Sequence, residues 1–537
     1  MPPRFRPRPF EWVLLVFGLV LITRYAWVMD DAFIYARYAD NAILMKLGLV
    51  YNQGEYVEGF SSPFWMLWLL LWRALGLSYW TIFLGSGYLG FVIMWWALVR
   101  LDLALAPGDP PNRERINFPL AFLAVSYPVT AWFTAGMETS IIQTCAAGYA
   151  LFLVDPKSRP AQVLVGLAPF VRPELAAPFV IVILYSWIRT RRAPTLALAL
   201  GIGLNLAWLG FRVYYYADLL PNTFYLKDDS DTPQGLRYLV NAFHSYYIEV
   251  ILAGVALLSW AAARRGDAAE QAKLGPRMMM WVASLPVILY VVRIGGDAIH
   301  YRYLAFPFCL CVCSSAGVVE AWWTAKPRKL AFHRYATAFA GVVAAVSFSL
   351  QPPQRDQSRH AIVEAGDPHK VDEISDPGRH RRREHLRIAA QDDPHREAKL
   401  AVGEQPESFE YRDTVVLSWC AKAYVEYDHR VVHRYGLTDP FLARMTVDEL
   451  PGDRPRHSLG VTHHADDVAR IVDRADDLGS PGPGMMRAAA SGDYGGVWVE
   501  ENLETLETIE RKTFNDHELA ENLALAFDSA ERIEVAQ

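Results

Sequence analysis

The apolar half of the chain begins with the run WVLLVFGLVLITRYAWVM, residues 12–29, and two aspartates, Asp30 and Asp31, follow it directly. The run is close to the length of about 20 apolar residues that a membrane-spanning helix needs. Basic residues precede it within the first eight positions, and it lacks a small-residue cleavage site. We therefore expect a retained span with a cytoplasmic N-terminus.

The composition divides the chain into two unlike parts. Of its 537 residues, 52% are hydrophobic and 13% aromatic, which is too apolar for a set of soluble domains. We predict a transmembrane catalytic domain over 1–350, in which residues 30–80 form the first outer loop. Residues 351–537 are predicted to be a soluble α/β domain, with strand-like runs at 414–425 and 430–437. The net charge of -6 and the lack of a basic stripe exclude nucleic acid as a partner.

Further apolar runs of membrane length follow the first one. The run 161–188 is interrupted by Arg172-Pro173-Glu174, which predicts two short helices that meet at the far interface. All these runs lie near 81–104, 116–134, 138–154, 161–188, 193–211, 246–262, 278–293, 303–320 and 335–350.

The positive-inside rule fixes the number of crossings. The basic groups near 113–115, 157–159, 189–192, 264–277 and 326–334 all become cytoplasmic only if the apolar stretch 63–79 does not cross the membrane. That stretch is rich in tryptophan, which favours a helix lying in the interface. The prediction is a bacterial inner-membrane protein with about eleven transmembrane helices and a C-terminal domain outside the cytoplasm.

This topology places charged and hydroxylated residues of both signs on the outer face, many at span ends. Since charges at membrane depth are costly, such residues usually line water, pair with each other or serve a site. We expect a shared substrate cavity; the alternative is separate interfacial charges. The residues are Asp30, Asp31, Arg37, Glu58, Ser61, Ser62, Glu138, Arg172, Glu174, Arg212, Asn222, Lys227, Arg293, Asp297, His300 and Arg302.

Two of these positions, Asp30 and Asp31, have the chemistry of a general base. Adjacent like charges favour proton uptake by one carboxylate, as a proton acceptor requires. The alternative is that Asp31 only caps the helix that follows. The catalytic interpretation is favoured because a cap needs one carboxylate and the sequence has two.

A second group has the chemistry of a phosphate clamp. Gly295 and Gly296 allow a tight turn beside Arg293, His300 and Arg302, and Lys227 adds another cation. The alternative is an interfacial loop with a local salt bridge. The His and Asp residues of the C-terminal half match no metal-site spacing, so neither a metal nor another cofactor is expected.

Several short strings occur in an order that resembles the mycobacterial terminal arabinofuranosyltransferase family over nearly the whole chain. Two positions depart from the family pattern: Tyr301 stands where a His-Gly-Arg pattern has glycine, and His433 stands where aspartate is expected. The matching strings are Asp30-Asp31-Ala32-Phe33-Ile34, Val50-Tyr51-Asn52, Gly54-Glu55, Val57-Glu58-Gly59, Ser61-Ser62-Pro63, Gly136-Met137-Glu138-Thr139, Arg172-Pro173-Glu174, Pro221-Asn222-Thr223, Gly295-Gly296-Asp297, Tyr435-Gly436-Leu437-Thr438-Asp439-Pro440 and Ala443-Arg444.

The resemblance implies a GT-C membrane enzyme that takes arabinofuranose from decaprenyl phosphate. It also implies interfacial helices after the first span, a periplasmic cap, and the Asp pair as the catalytic element. We therefore expect a polyprenyl-phosphate-sugar donor, a cell-envelope glycan or glycolipid acceptor, and contact with membrane lipid. A related transferase that uses a hexose or aminosugar is the alternative, and a lipid-sugar flippase is disfavoured because no internal repeat is seen.

Overall fold

The part of the chain that the structure describes is mostly helical, as expected for a helical membrane protein. The structure is a computed structural model. It describes residues 5–105, 117–225, 232–245, 249, 252–257, 260, 268–297, 299–317, 383–390, 409–411, 414–417, 420–425, 430–433, 438, 508, 511–513 and 520–527.

Helices and strands are numbered here in chain order. The helices of the apolar half are α1 Pro9–Arg24, α2 Ala32–Ile43, α3 Pro63–Ala74, α4 Tyr79–Leu105, α5 Phe118–Val125, α6 Tyr127–Ala131, α7 Thr139–Val154, α8 Arg159–Val171, α9 Ala176–Thr190, α10 Thr195–Tyr216, α11 Asn222–Tyr225, α12 Thr232–Ser245, α13 Ala268–Arg293 and α14 Ala305–Cys313. The C-terminal elements are α15 Arg383–Ala390, β1 Phe409–Tyr411, β2 Thr414–Leu417, α16 Cys420–Val425 and β3 Arg430–His433.

Three of the described helices are long and apolar enough to cross a membrane, namely Tyr79–Leu105, Thr195–Tyr216 and Lys273–Arg293. They agree with three of the predicted spans. The predicted run 335–350 and most of the run 246–262 lie outside the described residues. The count of about eleven crossings therefore stays a prediction.

Helix α3 has the features predicted for an interfacial helix. The Ser62 side chain caps it by accepting a hydrogen bond from Trp65 N at 3.2 Å. Its 12 residues span about 18 Å, well short of the about 30 Å of a hydrocarbon core. Trp65 is buried, whereas Leu67 and Leu71 on another side of α3 are exposed. Both the length and this two-sided character agree with a segment that does not cross.

Proline breaks two of the apolar runs. Helix α8 ends at Val171 and α9 begins at Ala176, so the predicted interruption at Arg172-Pro173-Glu174 is confirmed. The run 116–134 differs from the prediction of one span, because it forms α5 and α6 with Ser126 in an extended conformation between them. Pro128 near the start of α6 has no N–H for the helical ladder, which accounts for the second break.

The chain forms two compact units that do not follow chain order. Unit 1 contains Met1–Val28, Phe83–Leu204 and Asp231–Arg381; unit 2 contains Met29–Ile82, Asn205–Ser230 and Arg382–Gln537. Unit 2 thus combines residues of the predicted first outer loop with C-terminal segments. The predicted domain boundary at residue 350 stays a prediction.

A small sheet lies in the C-terminal part of unit 2. Strand β1 pairs antiparallel with β2, and β2 pairs parallel with β3, with Thr414 opposite Arg430. The predicted strand over 414–425 is shorter than expected, because residues 420–425 form helix α16. The assignment of the whole C-terminal half to an α/β cap stays a prediction.

Candidate active site

The structure divides the predicted site residues into two groups, each within one unit. Lys227 lies outside the described residues. The shared cavity therefore stays a prediction. We name the group in unit 2 the Asp-pair cluster: Asp30, Asp31, Arg37, Glu58, Ser61, Ser62, Arg212 and Asn222. We name the group in unit 1 the arginine cluster: Glu138, Arg172, Glu174, Arg293, Asp297, His300 and Arg302.

The two adjacent aspartates have different surroundings. Asp30 Oδ2 accepts a hydrogen bond from Cys420 N at 2.8 Å, and Asp30 Oδ1 accepts one from Ala421 N at 3.0 Å. His385 Nε2 lies 3.6 Å from Asp30 Oδ1. Asp31 holds the N-cap position of α2 with helical backbone angles, but its side chain makes no capping hydrogen bond. The structure therefore does not show the helix-capping role that was the alternative for the Asp31 side chain.

Arg37 is a buried link between distant segments. Its Nε donates to the carbonyl of Tyr51 at 2.8 Å, its guanidinium also donates to the carbonyl of Ala423, and it lies 4.9 Å over the Tyr51 ring. Main-chain carbonyls hold these donors in the folded chain. The structure therefore supports a docking role for Arg37 more directly than the predicted contact with substrate.

Glu58 and Arg212 join the first outer loop to the end of α10. The Glu58 carboxylate accepts from the Arg212 guanidinium and from Trp208 Nε1 at 3.0 Å, while the Glu58 carbonyl accepts from Asn222 N at 2.9 Å. Ser61 Oγ lies 3.3 Å from Thr223 Oγ1. These contacts hold the predicted Pro221-Asn222-Thr223 motif beside residues 58–61.

The arginine cluster is centred on the ring of Tyr303. Arg172 pairs with Glu138 at 2.7 Å and with Glu174 at 2.6 Å, and its guanidinium lies 5.2 Å over the Tyr303 ring. Arg302 pairs with Asp297 at 3.3 Å and lies 5.5 Å over the same ring. The structure therefore brings together five of the predicted site residues in unit 1: Glu138, Arg172, Glu174, Asp297 and Arg302.

The other two members of this cluster differ in exposure. His300 is buried, and its main-chain carbonyl accepts a hydrogen bond from Trp132 Nε1 at 3.2 Å. Arg293 is the last residue of α13 and is exposed. The predicted phosphate contacts of these two residues stay predictions.

The turn before Arg302 has the geometry that the sequence predicted, with one addition. Gly295 and Gly296 have φ of 82° and 83°, so the tight turn is confirmed. Tyr301 also has a positive φ, 73°, although its ring is fully buried. A left-handed conformation is unfavourable for a residue with a side chain, and this is the position where the family pattern has glycine.

Two buried acidic centres in unit 2 were not apparent from the sequence. Asp40 accepts from Arg73 Nε at 2.7 Å, from Tyr79 Oη at 2.8 Å and from Tyr424 Oη at 2.6 Å. Burial, and then the Asp40 carboxylate, raise the pKa of Tyr424, which therefore stays protonated as a donor. The only sequence signal was a carboxylate within a mostly apolar helix.

The second such centre is a pair between Lys512 and Asp218. Both residues are buried, and Asp218 Oδ1 also accepts from Tyr225 Oη at 2.6 Å. Lys512 Nζ lies 5.7 Å from the centre of the Tyr225 ring. A C-terminal cation thus lies beside Tyr225, which precedes by two residues the Lys227 that the sequence predicts to bind the donor phosphate.

The chain is similar to two curated proteins that both carry the name terminal beta-(1->2)-arabinofuranosyltransferase. The protein from Mycobacterium tuberculosis is 28% identical over 336 residues, which cover 55% of this chain and 52% of the relative. The protein from Corynebacterium glutamicum is 26% identical over 336 residues, covering 52% and 46%.

No protein-family model matches the chain, and no solved structure does. The chain spans about half the length of the curated relatives that it matches. The similarity therefore supports a relationship to glycosyltransferases, in a helical membrane protein whose charged residues form two organised clusters.

Proposed function

We propose that the protein is a membrane glycosyltransferase of the GT-C type that transfers a sugar from a polyprenyl-phosphate donor to a cell-envelope glycan. The observation that carries this proposal is the similarity to two curated arabinofuranosyltransferases. Arabinofuranose is the proposed sugar for the same reason. The reaction takes place on the outer face of the inner membrane, where the predicted topology puts the Asp pair.

The proposed chemistry begins at the acceptor. A carboxylate of the pair Asp30 and Asp31 takes the proton of the acceptor hydroxyl while the oxygen attacks the anomeric carbon. The bond from that carbon to the phosphate oxygen breaks, and the electron pair leaves with the polyprenyl phosphate. No redox partner is needed, and the proton remains on the carboxylate until solvent removes it. Losing such a base typically lowers the rate by about 10² to 10⁴.

The second part of the proposed chemistry is stabilisation of the leaving phosphate. Arg302, Arg293, His300 and Lys227 supply positive charge or hydrogen bonds to it, since negative charge grows there as the bond breaks. Arg302 is the best supported of these residues, because its paired acceptor Asp297 is a side chain and lies at 3.3 Å. A phosphate can replace such an acceptor without changing the main chain.

The test is transfer by the purified protein in lipid nanodiscs. Polyprenyl-phosphate arabinofuranose, hexose and aminosugar are each offered with a synthetic arabinan oligosaccharide, and the products are identified by mass spectrometry. We expect extension of the acceptor by one pentose with the first donor. The matched control is the double variant Asp30→Asn with Asp31→Asn, which should bind donor but not transfer it.

Each other outcome has a definite meaning. Transfer of a hexose or an aminosugar alone would replace arabinofuranose and keep the reaction class. Movement of the lipid-linked sugar between the leaflets of sealed proteoliposomes, without any transfer, would overturn the enzyme assignment in favour of a flippase.

A further inference from the structure

One face of helix α2 carries the contacts between the first outer loop and a C-terminal segment. Phe33, Arg37 and Asp40 of α2 lie four and three residues apart, which is the repeat of one helix face, and Asp30 lies two residues before the helix begins. We name these four residues the α2 docking face. All four contact residues of helix α16 in unit 2.

The contacts involve four of the six residues of α16. Asp30 accepts the N–H groups of Cys420 and Ala421 at its start, and Arg37 donates to the carbonyl of Ala423. The Tyr424 ring lies 5.6 Å from the Phe33 ring, and its hydroxyl donates to Asp40 at 2.6 Å. A helix of six residues is too short to be stable alone, so it depends on packing contacts such as these and those with β2 and β3.

The Asp31 position relates to a different face of α2. Tyr35 and Tyr38 follow Asp31 by four and seven residues. Tyr35 Oη accepts from Ser62 N at 3.2 Å, and Tyr38 Oη accepts from Gly59 N at 2.9 Å. This second face therefore contacts the part of the first outer loop that holds Glu58 and Ser61.

We propose that the α2 docking face fixes the segment Cys420–Val425 in place, with Asp30 as its positioning residue, and that Asp31 alone is the proton acceptor. The first half rests on contacts seen in the structure, and the second half rests on the proposed function. Asp30 already accepts two main-chain N–H groups that a helix start must have satisfied. Taking a proton at Asp30 would weaken those bonds at each turnover, so of the two carboxylates Asp31 is the one proposed to take it.

Cys420 gives a direct readout of docking. It is buried against Asp30, and the other four cysteines are buried in the apolar half. When α16 leaves the docking face, the Cys420 thiol becomes accessible to a maleimide. The rate of labelling thus measures the undocked population, independently of catalysis.

The experiment labels the full-length purified protein with maleimide and locates the adduct by mass spectrometry. Arg37→Met and Asp30→Asn should speed labelling of Cys420 by about 10- to 150-fold, the effect of losing a hydrogen bond to a charged group. Tyr424→Phe keeps the ring but removes a hydrogen bond to the Asp40 carboxylate, so it should also give about 10- to 150-fold. The Cys420→Ser variant sets the background.

Asp31→Asn is the matched control for Asp30→Asn. Its labelling should equal that of the wild type, while its turnover should fall by about 10² to 10⁴. Asp30→Asn should retain more turnover than Asp31→Asn under the same conditions. Circular dichroism and size-exclusion profiles check that each variant folds, and Tyr424→Phe keeps the docking test available if a charge variant does not.

Two results would overturn the proposal. If Cys420 stays protected in Arg37→Met, Asp30→Asn and Tyr424→Phe, the docking face is wrong whatever the enzyme does. If labelling behaves as expected but Asp31→Asn turns over normally, the assignment of the base is wrong while docking stands. Failure of transfer in every protein, including the wild type, counts against the proposed function and leaves the docking result valid.

Discussion

Arg37 in unit 2 and Arg302 in unit 1 were both predicted to meet substrate, but the structure gives them different acceptors. Arg37 donates to the main-chain carbonyls of Tyr51 and Ala423 and, at the longer distance of 3.4 Å, to the neutral side chain of Asn52. Arg302 pairs with the side chain of Asp297 at 3.3 Å and stacks over Tyr303. A main-chain acceptor is lost only when the fold changes, whereas a side-chain carboxylate can give way to a ligand phosphate.

The charge of an arginine alone therefore does not distinguish a structural role from a role in substrate binding. What separates them is whether the acceptors belong to the fold or can be exchanged. Arg172 is an intermediate case, because both of its carboxylate partners are side chains but the group is almost fully buried. Substitutions at these three arginines should therefore change different properties of the protein: docking for Arg37, stability for Arg172 and donor binding for Arg302.

The largest expected effect is on stability, from Arg172→Met. The substitution leaves Glu138 and Glu174 without their shared cation, and losing one partner of a buried ion pair costs about 3 to 5 kcal/mol. Thermal and denaturant unfolding in detergent measure the change. The matched control adds Glu138→Gln and Glu174→Gln, which should recover part of the loss. An unchanged midpoint in Arg172→Met alone would contradict the structural role.

Arg302→Ala should have the next largest effect, and on donor binding. Loss of a charge-assisted contact with the lipid phosphate is worth about 1.5 to 3 kcal/mol, or about 10- to 150-fold in affinity. Arg37→Met is the matched control, since it should leave the donor affinity of the folded protein unchanged. Titration with a polyprenyl phosphate measures both. Equal loss of donor affinity in the two variants would show that the type of acceptor, side chain or main chain, does not separate a donor-binding arginine from a structural one.

The docking of α16 should depend on pH through Cys420. Burial, and then the carboxylates of Asp30 and Asp31, raise the pKa of the Cys420 thiol. Its contribution to stability is therefore fully present below the ordinary thiol pKa of about 8.5 and is lost as the pH rises above it. Above that value we expect about 1.4 kcal/mol of stability lost per pH unit from this group.

The control for the pH effect is Cys420→Ala, which removes the thiol but keeps the helix. Unfolding free energies of both proteins are measured between pH 7 and about 10. The difference between them should change with pH only above the ordinary thiol pKa. Parallel curves over the whole range would show that the thiol has the same pKa in the folded protein as in the unfolded chain, and would contradict the expected shift.

Local rules predicted the parts of the fold that depend on neighbouring residues. Pro173 interrupts a helix, Gly295 and Gly296 permit a left-handed turn, and tryptophans mark α3, all without information from distant segments. The structure agrees at each of these points. The three long apolar helices were predicted for the same reason.

Contacts between distant segments could not be predicted in this way. Residues 420–425 were predicted to continue a strand, but Asp30 caps their N–H groups from a position 390 residues earlier, and they form a helix. The partners of Asp40 come from three separate segments, so its role is invisible in any local pattern. The exposure and pairing of each predicted site residue likewise depend on which segment of the chain packs against it.

The smallest expected effect concerns two neighbouring serines that the sequence placed in one substrate cavity. Ser62 Oγ accepts the N–H of Trp65 at the start of α3, whereas Ser61 Oγ lies 3.3 Å from the hydroxyl of Thr223. Loss of a helix cap typically costs about 1 kcal/mol. Ser62→Ala should therefore lower the unfolding free energy by about that amount and leave turnover per folded molecule unchanged.

Variants at the two serines separate a capping role from a substrate role. Ser62→Thr keeps a hydroxyl as N-cap acceptor without adding a charge to this buried position, and it should restore most of the stability that Ser62→Ala loses. Ser61→Ala removes a contact between side chains only, so its effect on stability should be the smaller one. A Ser62→Ala protein with normal stability but slow transfer would return Ser62 to the substrate cavity. That result would mean that the Ser62 hydroxyl acts on the substrate and contributes little to the stability of α3. The hydrogen bond from Trp65 N would then not exclude a direct role of Ser62 in binding.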